Sequence, residues 1–113
     1  MELEAYELVL LWRPADAPEY DLETLDRLQR EHLDYLAWLR EQGSVATNGP
    51  VLGQPDPALR GLTVFRTGSV EETRRLAEDD PLVHAGRLRV DVMTFLCQPG
   101  ALRDRGRPVT VDE

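Results

Sequence analysis

Residues Glu4–Trp12 (EAYELVLLW) are rich in β-formers and stop at Arg13-Pro14, a pattern that predicts a first strand. Successive side chains alternate faces, so Leu8 and Leu10 must point away from Val9 and Leu11, and both faces are apolar. PADAPEYD, with two prolines and three acids, is a loop. Asp21 is a good N-cap, helical periodicity runs over Leu22–Gln42, and Gly43 supplies a stop. Ser44–Leu52 (SVATNGPVL) predicts a short strand interrupted at Gly49-Pro50, GQPDPALRG a connecting loop, and Leu62–Arg66 a third strand.

Ser69 and Glu72 form an S-x-x-E capping box that opens a second helix, which ends near Asp79 because Pro81 biases Asp80 away from helical dihedrals. PLVHAG then predicts one further turn, with Pro81 at its first position and Gly86 closing it. Leu88–Leu96 alternates as a fourth strand. From Gln98 the chain is polar and Arg-rich, so residues 1–98 are expected to form the domain and 99–113 a loose tail or an arm on a partner subunit.

The order βαββαβ predicts an α+β, ferredoxin-like fold, with two helices on one face of a four-stranded antiparallel sheet. Two helices cover one face, and an apolar second face of several hundred Å2 is unusual on a monomer. The expectation is a homodimer that buries it.

One position in the first helix breaks the pattern. On a wheel at about 100° per residue, Leu25, Leu28, Leu36 and Leu39 fall within roughly a 90° arc, with His32 near its centre and Leu33 outside. A buried imidazole needs partners for both ring nitrogens, and each left unpaired costs on the order of 1–3 kcal/mol. Two readings are open: a core histidine satisfied by a backbone carbonyl and a water, or a histidine on a pocket floor paired with a carboxylate. An imidazole exchanges protons close to neutral pH, so the second reading makes His32 a general acid or base. Asp80 is the expected partner; it also caps the turn that follows, and a carboxylate has acceptor sites enough for both roles.

Composition narrows the chemistry. The chain has 113 residues and a net charge of −8, which disfavours nucleic acid. All 13 basic residues are Arg, so lysine Schiff-base and P-loop chemistry are excluded. Glycines never fall into a GxGxxG pattern, and no cofactor is expected. The lone Cys97 can make no internal disulfide and reads as a packing residue. A metal site from His32, Asp80 and His84 lacks HxH or HExxH spacing, so no metal is expected, and His84 reads as a surface or rim residue. Arg27 and Arg30 lie outside the stripe among acids, as a solvated face; Tyr35 reads as core and Trp38 as an interface or loop contact. No apolar run approaches the roughly 20 residues of a membrane span, and the N-terminus lacks signal-peptide features, so no membrane role and a cytoplasmic location are expected.

HLDYLAWLREQGSVATNGPV, followed by EDDPLVHAGRLRV, resembles the YciI-related (YCII) proteins over roughly Glu4 to Phe95. The anchors are His32-Leu33, Gly49-Pro50, Asp80-Pro81 and Ala85-Gly86. The resemblance implies a protomer of the dimeric α/β-barrel superfamily that dimerises through its sheet, with a pocket holding a His32–Asp80 pair. The family includes a dehydrochlorinase acting on a chlorinated hydroxyhydroquinone. Two positions depart from the pattern: Leu82 stands where many relatives have an aromatic residue, and Asn48 where a small residue precedes Gly-Pro. Both would lie by the pocket and bear on the substrate. The expected function is proton transfer of lyase, isomerase or dehydrochlorinase type on a small, cyclic molecule. His32 and Asp80 would be catalytic, and Asn48, Gly49, Pro50 and Leu82 would form substrate-binding walls, with Gly49 allowing close approach and Pro50 stiffening the wall. The alternative is a non-catalytic dimeric module that binds a small ligand or a protein.

Overall fold

In a computed structural model of the chain, residues 1–103, 106 and 108–111 are described. The strands are β1 (Glu4–Trp12), β2 (Val45–Pro50), β3 (Leu59–Phe65) and β4 (Arg89–Cys97), and the helices α1 (Leu22–Glu41), α2 (Val70–Glu78) and α3 (Pro81–His84). The strands form one antiparallel sheet in the order β2-β3-β1-β4, which is the ferredoxin-like arrangement.

Local chemistry sets the helix ends. Asp21 accepts from Thr24 N at 2.8 Å to cap α1, and Ser69 Oγ accepts from Glu72 N at 3.1 Å to cap α2. The capping box is half-made: Ser69 N donates to Thr67 Oγ1, while the Glu72 carboxylate turns to Arg75. Helices α1 and α3 both close with Schellman geometry at Gly43 (φ 82°) and Gly86 (φ 76°). After Gly86, Arg87 N donates to Leu82 O at 2.9 Å, which bends the chain from α3 into β4.

The core lies between sheet and helices. Val9 and Leu11 of β1 and Phe65 of β3 meet Leu28, Leu36 and Leu39 of α1, Ala77 of α2 and Leu82 of α3. Each fully buried aliphatic side chain there is worth about 1.5–3 kcal/mol. Glu7 shares this face and is buried, its Oε1 accepting from Thr67 N at 2.9 Å and from the Thr67 and Thr73 hydroxyls at 3.0 Å. It ties the turn before α2 to β1.

Tyr6, Leu8, Leu10 and Trp12 of β1 point to the opposite face, beside Leu62 and Val64 of β3 and Met93 and Phe95 of β4, all half-buried or exposed. Two strand ends differ from the sequence pattern by more than one residue. β2 stops at Pro50 rather than Leu52, and β3 starts at Leu59 rather than Leu62, inside the segment expected to be a loop. Pairing decides this, because Gly61 lies opposite both Leu11 and Pro50 in the ladder. The final element is a 3-10 turn at Ala101–Arg103, and Gly100 N donates to Glu4 Oε1 at 2.8 Å, which fixes the start of the expected tail to β1. Residues 104, 105, 107, 112 and 113 of that tail lie outside the described residues.

Candidate active site

His32 occupies the middle of the buried face of α1, between Leu28 and Leu36, and is 8% exposed. Its Nδ1 lies 2.6 Å from Asp80 Oδ2, and Asp80 is 3% exposed. The other carboxylate oxygen, Oδ1, accepts from Leu82 N at 2.9 Å as the N-cap of α3. Both roles expected of Asp80 therefore fall on one side chain, one oxygen each. Pro81 at the first helical position holds Asp80 extended (φ −60°, ψ 133°) and aims the carboxylate back at α1.

Further contacts hold α3 in place. Tyr20 Oη donates to Ala85 O at 2.7 Å, and Arg87 Nη1 donates to Pro18 O at 3.0 Å, so the loop after β1 straps α3 at its C-terminal end. Tyr35, one turn along α1 from His32, donates its hydroxyl to Leu76 O at 2.8 Å. Burial, and after it the carboxylates of Asp79 and Asp80, push the Tyr35 phenol up from its ordinary range.

A carboxylate only accepts, so the ring nitrogen facing Asp80 carries the proton, and the neutral imidazole presents an unprotonated Nε2. Nε2 has no protein partner among the described residues. His32 lines a cavity of about 230 Å3 between α1, α3 and the β2-β3-β1 side of the sheet. That is below the ~300–1,000 Å3 typical for drug-sized ligands and suits a molecule of about one ring.

Asn48, Gly49, Pro50 and Leu82 all line this cavity with His32. Asp80 does not; it stands behind the ring. The Asn48 side chain also accepts from Arg40 Nη1, which orients its amide. A Cβ on Gly49 would meet nothing within 4 Å, whereas one on Gly61 would lie 2.8 Å from Gly49 O. β2 and β3 approach that closely only because Gly61 is bare.

Several lining residues escaped the sequence reading. Leu33, outside the apolar arc, is half-exposed and borders the cavity, as do Thr63, Arg13 and Arg60. Arg60 sits where the β1–β3 register breaks: Leu11 pairs with Gly61 and Trp12 with Leu59, so Arg60 is the extra residue. No local pattern marks such a position. Arg27 instead pairs with Glu31 at 3.1 Å on the outer surface of α1. His84 lies away from the cavity, 3.6 Å from Asp79 at the surface. Among the described residues no group of three His, Cys, Asp or Glu side chains is arranged to hold a metal. No described helix is long and apolar enough to cross a membrane.

Residues 8–96 match the YCII-related domain. The chain belongs to the YCII-related family. Among solved structures, this YCII-related chain is similar to 5-chloro-2-hydroxyhydroquinone dehydrochlorinase (TftG) from Burkholderia phenoliruptrix AC1100, in complex with 2,5-dihydroxybenzoquinone. The TM-score is 0.57 at 20% identity, over 78% of this chain and 90% of the other. That likeness is one of fold. Comparison with curated proteins gives no significant match.

Proposed function

We propose that this YCII-related protein is a cytoplasmic enzyme that moves protons with a His32–Asp80 dyad on a small cyclic substrate, in a lyase, isomerase or dehydrochlorinase type of reaction. The observation that carries the reading is the 2.6 Å contact between His32 Nδ1 and Asp80 Oδ2, with the ring on a cavity wall. Asp80 fixes the tautomer and stabilises the imidazolium that forms, the part a buried carboxylate plays beside a catalytic histidine elsewhere. His32 Nε2 takes a proton from carbon or oxygen of the ring and returns it to a neighbouring atom or to a leaving group. Asn48, Gly49, Pro50 and Leu82 hold the ring. The dehydrochlorinase of similar fold supports a ring-sized substrate.

The domain spans residues 1–98, and the working unit is a homodimer joined through the apolar sheet face. Tyr6, Leu8, Leu10, Met93 and Phe95, half-buried or exposed on the sheet face away from the helices, support that arrangement, because an apolar face of this kind is unusual on a monomer. The test is a screen of halogenated hydroquinones and hydroxyquinones, read by chloride release and ring absorbance. Turnover that a folded His32→Ala variant retains in full would sink the proposal.

A further inference from the structure

Arg13 and Arg60 line the same cavity as His32, and neither is ion-paired with a carboxylate among the described residues. Their hydrogen bonds go to backbone carbonyls: Arg13 Nε to Arg87 O at 3.2 Å, and Arg60 Nη1 to Pro57 O at 3.4 Å. The Arg87 guanidinium donates to the Pro18 carbonyl. Elsewhere Arg27, Arg74, Arg75 and Arg89 pair with acids, whereas Arg40 and Arg66 bond the Asn48 side chain and the Gly43 carbonyl. Among the described residues no Asp or Glu lines the cavity, Asp80 included.

The cluster is also strained electrostatically. Burial first, then the like charges of Arg87 and Arg60, pull the Arg13 guanidinium down from its ordinary range. A negative group bound between them would relieve that repulsion. Position agrees with this. Arg13 follows directly on β1, its backbone N bonded to Ala58 O at 2.7 Å, and Arg60 is the unpaired residue at the register break beside it. Such irregularities recur where a side chain is re-aimed next to a site.

We infer that Arg13 and Arg60 form an anion-binding end of the His32 cavity, so that its ligand is a single-ring compound carrying a carboxylate or an ionised enol or phenol. The inference rests on the proposed use of the cavity as the ligand site. The leucine walls take the ring and the two guanidinium groups take its negative edge. Guanidinium suits this task because its planar fork matches a carboxylate or an enolate pair in two parallel bonds. Arg13 and Arg60 would set affinity and orientation, while the proton transfer stays with His32.

The test compares 2,5-dihydroxybenzoate with its uncharged amide, titrated into the full chain and followed by 15N–1H NMR. The carboxylate is expected to bind roughly tenfold or more tightly than the amide, a preference that added salt reduces. Arg13→Gln and Arg60→Gln should each weaken the carboxylate and leave the amide unchanged. Arg13→Lys, which keeps the charge, should retain much of the preference, separating charge from the packing of Arg13. Equal affinity for both probes in the native chain, or a preference that survives in the double Gln variant, overturns the anion assignment alone. Titrations that perturb neither the His32 ring nor Leu82 would overturn the cavity as ligand site, and this inference with it.

Discussion

Asp80→Asn changes one atom of the site and reverses its proton chemistry. Asp80 Oδ1 accepts from Leu82 N at 2.9 Å, and a backbone N–H can only donate, so the oxygen of the new amide must take that place. Its NH2 group then faces His32 Nδ1, at the position of an oxygen now 2.6 Å away. Two donors cannot share that contact, so the imidazole moves its proton to Nε2 and presents an N–H to the cavity. Asn caps helices about as well as Asp, so α3 should survive. Exchanging a charge-assisted hydrogen bond of ~1.5–3 kcal/mol for a neutral one of ~0.5–1.5 kcal/mol gives a net destabilisation of about 1 kcal/mol. Loss of the base should lower any proton-transfer rate by ~10²–10⁴, since the same carboxylate-to-amide change in a serine protease triad costs about 10⁴. Imidazole 15N shifts read the tautomer without any substrate. The chain has two histidines, and exposed His84 serves as the internal control. A His32 that keeps the Nδ1–H tautomer in the folded variant would refute the reasoning.

Gly61→Ala should cost about 1–3 kcal/mol, because its Cβ would lie 2.8 Å from Gly49 O, while Gly49→Ala should stay within ~0.5 kcal/mol; equal urea midpoints for the two would contradict the close approach of β2 and β3. Tyr35→Phe should cost about 1 kcal/mol through loss of the bond to Leu76 O. Because the folded state raises the phenol pKa, that side chain's contribution is complete below the ordinary value of about 10 and is lost as pH rises through the raised one. The stability gap between Tyr35→Phe and the native chain should therefore hold up to pH ~10 and narrow above it, and a gap in urea midpoints that stays constant above that pH would refute this. Met93→Glu with Phe95→Glu places two charges on the apolar sheet face, where both side chains are 38% exposed, and should convert a dimer to a monomer in sedimentation; a native chain already monomeric at micromolar concentration removes the premise.

What could be read along the chain was local in origin. The 3.6-residue period placed His32 among buried leucines, and Asp21, Ser69 and Asp80-Pro81 marked helix starts, because capping depends on neighbours three or four residues away. The order of elements followed from the same signals, and with it the ferredoxin-like topology. Asp80 as the partner of His32 was legible only because Asp before Pro is extended and leaves an oxygen free, an argument the resemblance to YCII proteins reinforced. Strand pairing carried the rest. The early start of β3, the bare Gly61 against Gly49 O and the extra Arg60 all arise from how β1, β2 and β3 align, which joins residues on separate strands that share no local pattern. Arg13, beside the proline that follows the end of β1, becomes a cavity residue for the same reason. Short-range hydrogen bonding writes itself into the chain order; the meeting of distant strands is decided by packing, and it is packing that set the Arg13 and Arg60 side chains on the same cavity as an imidazole.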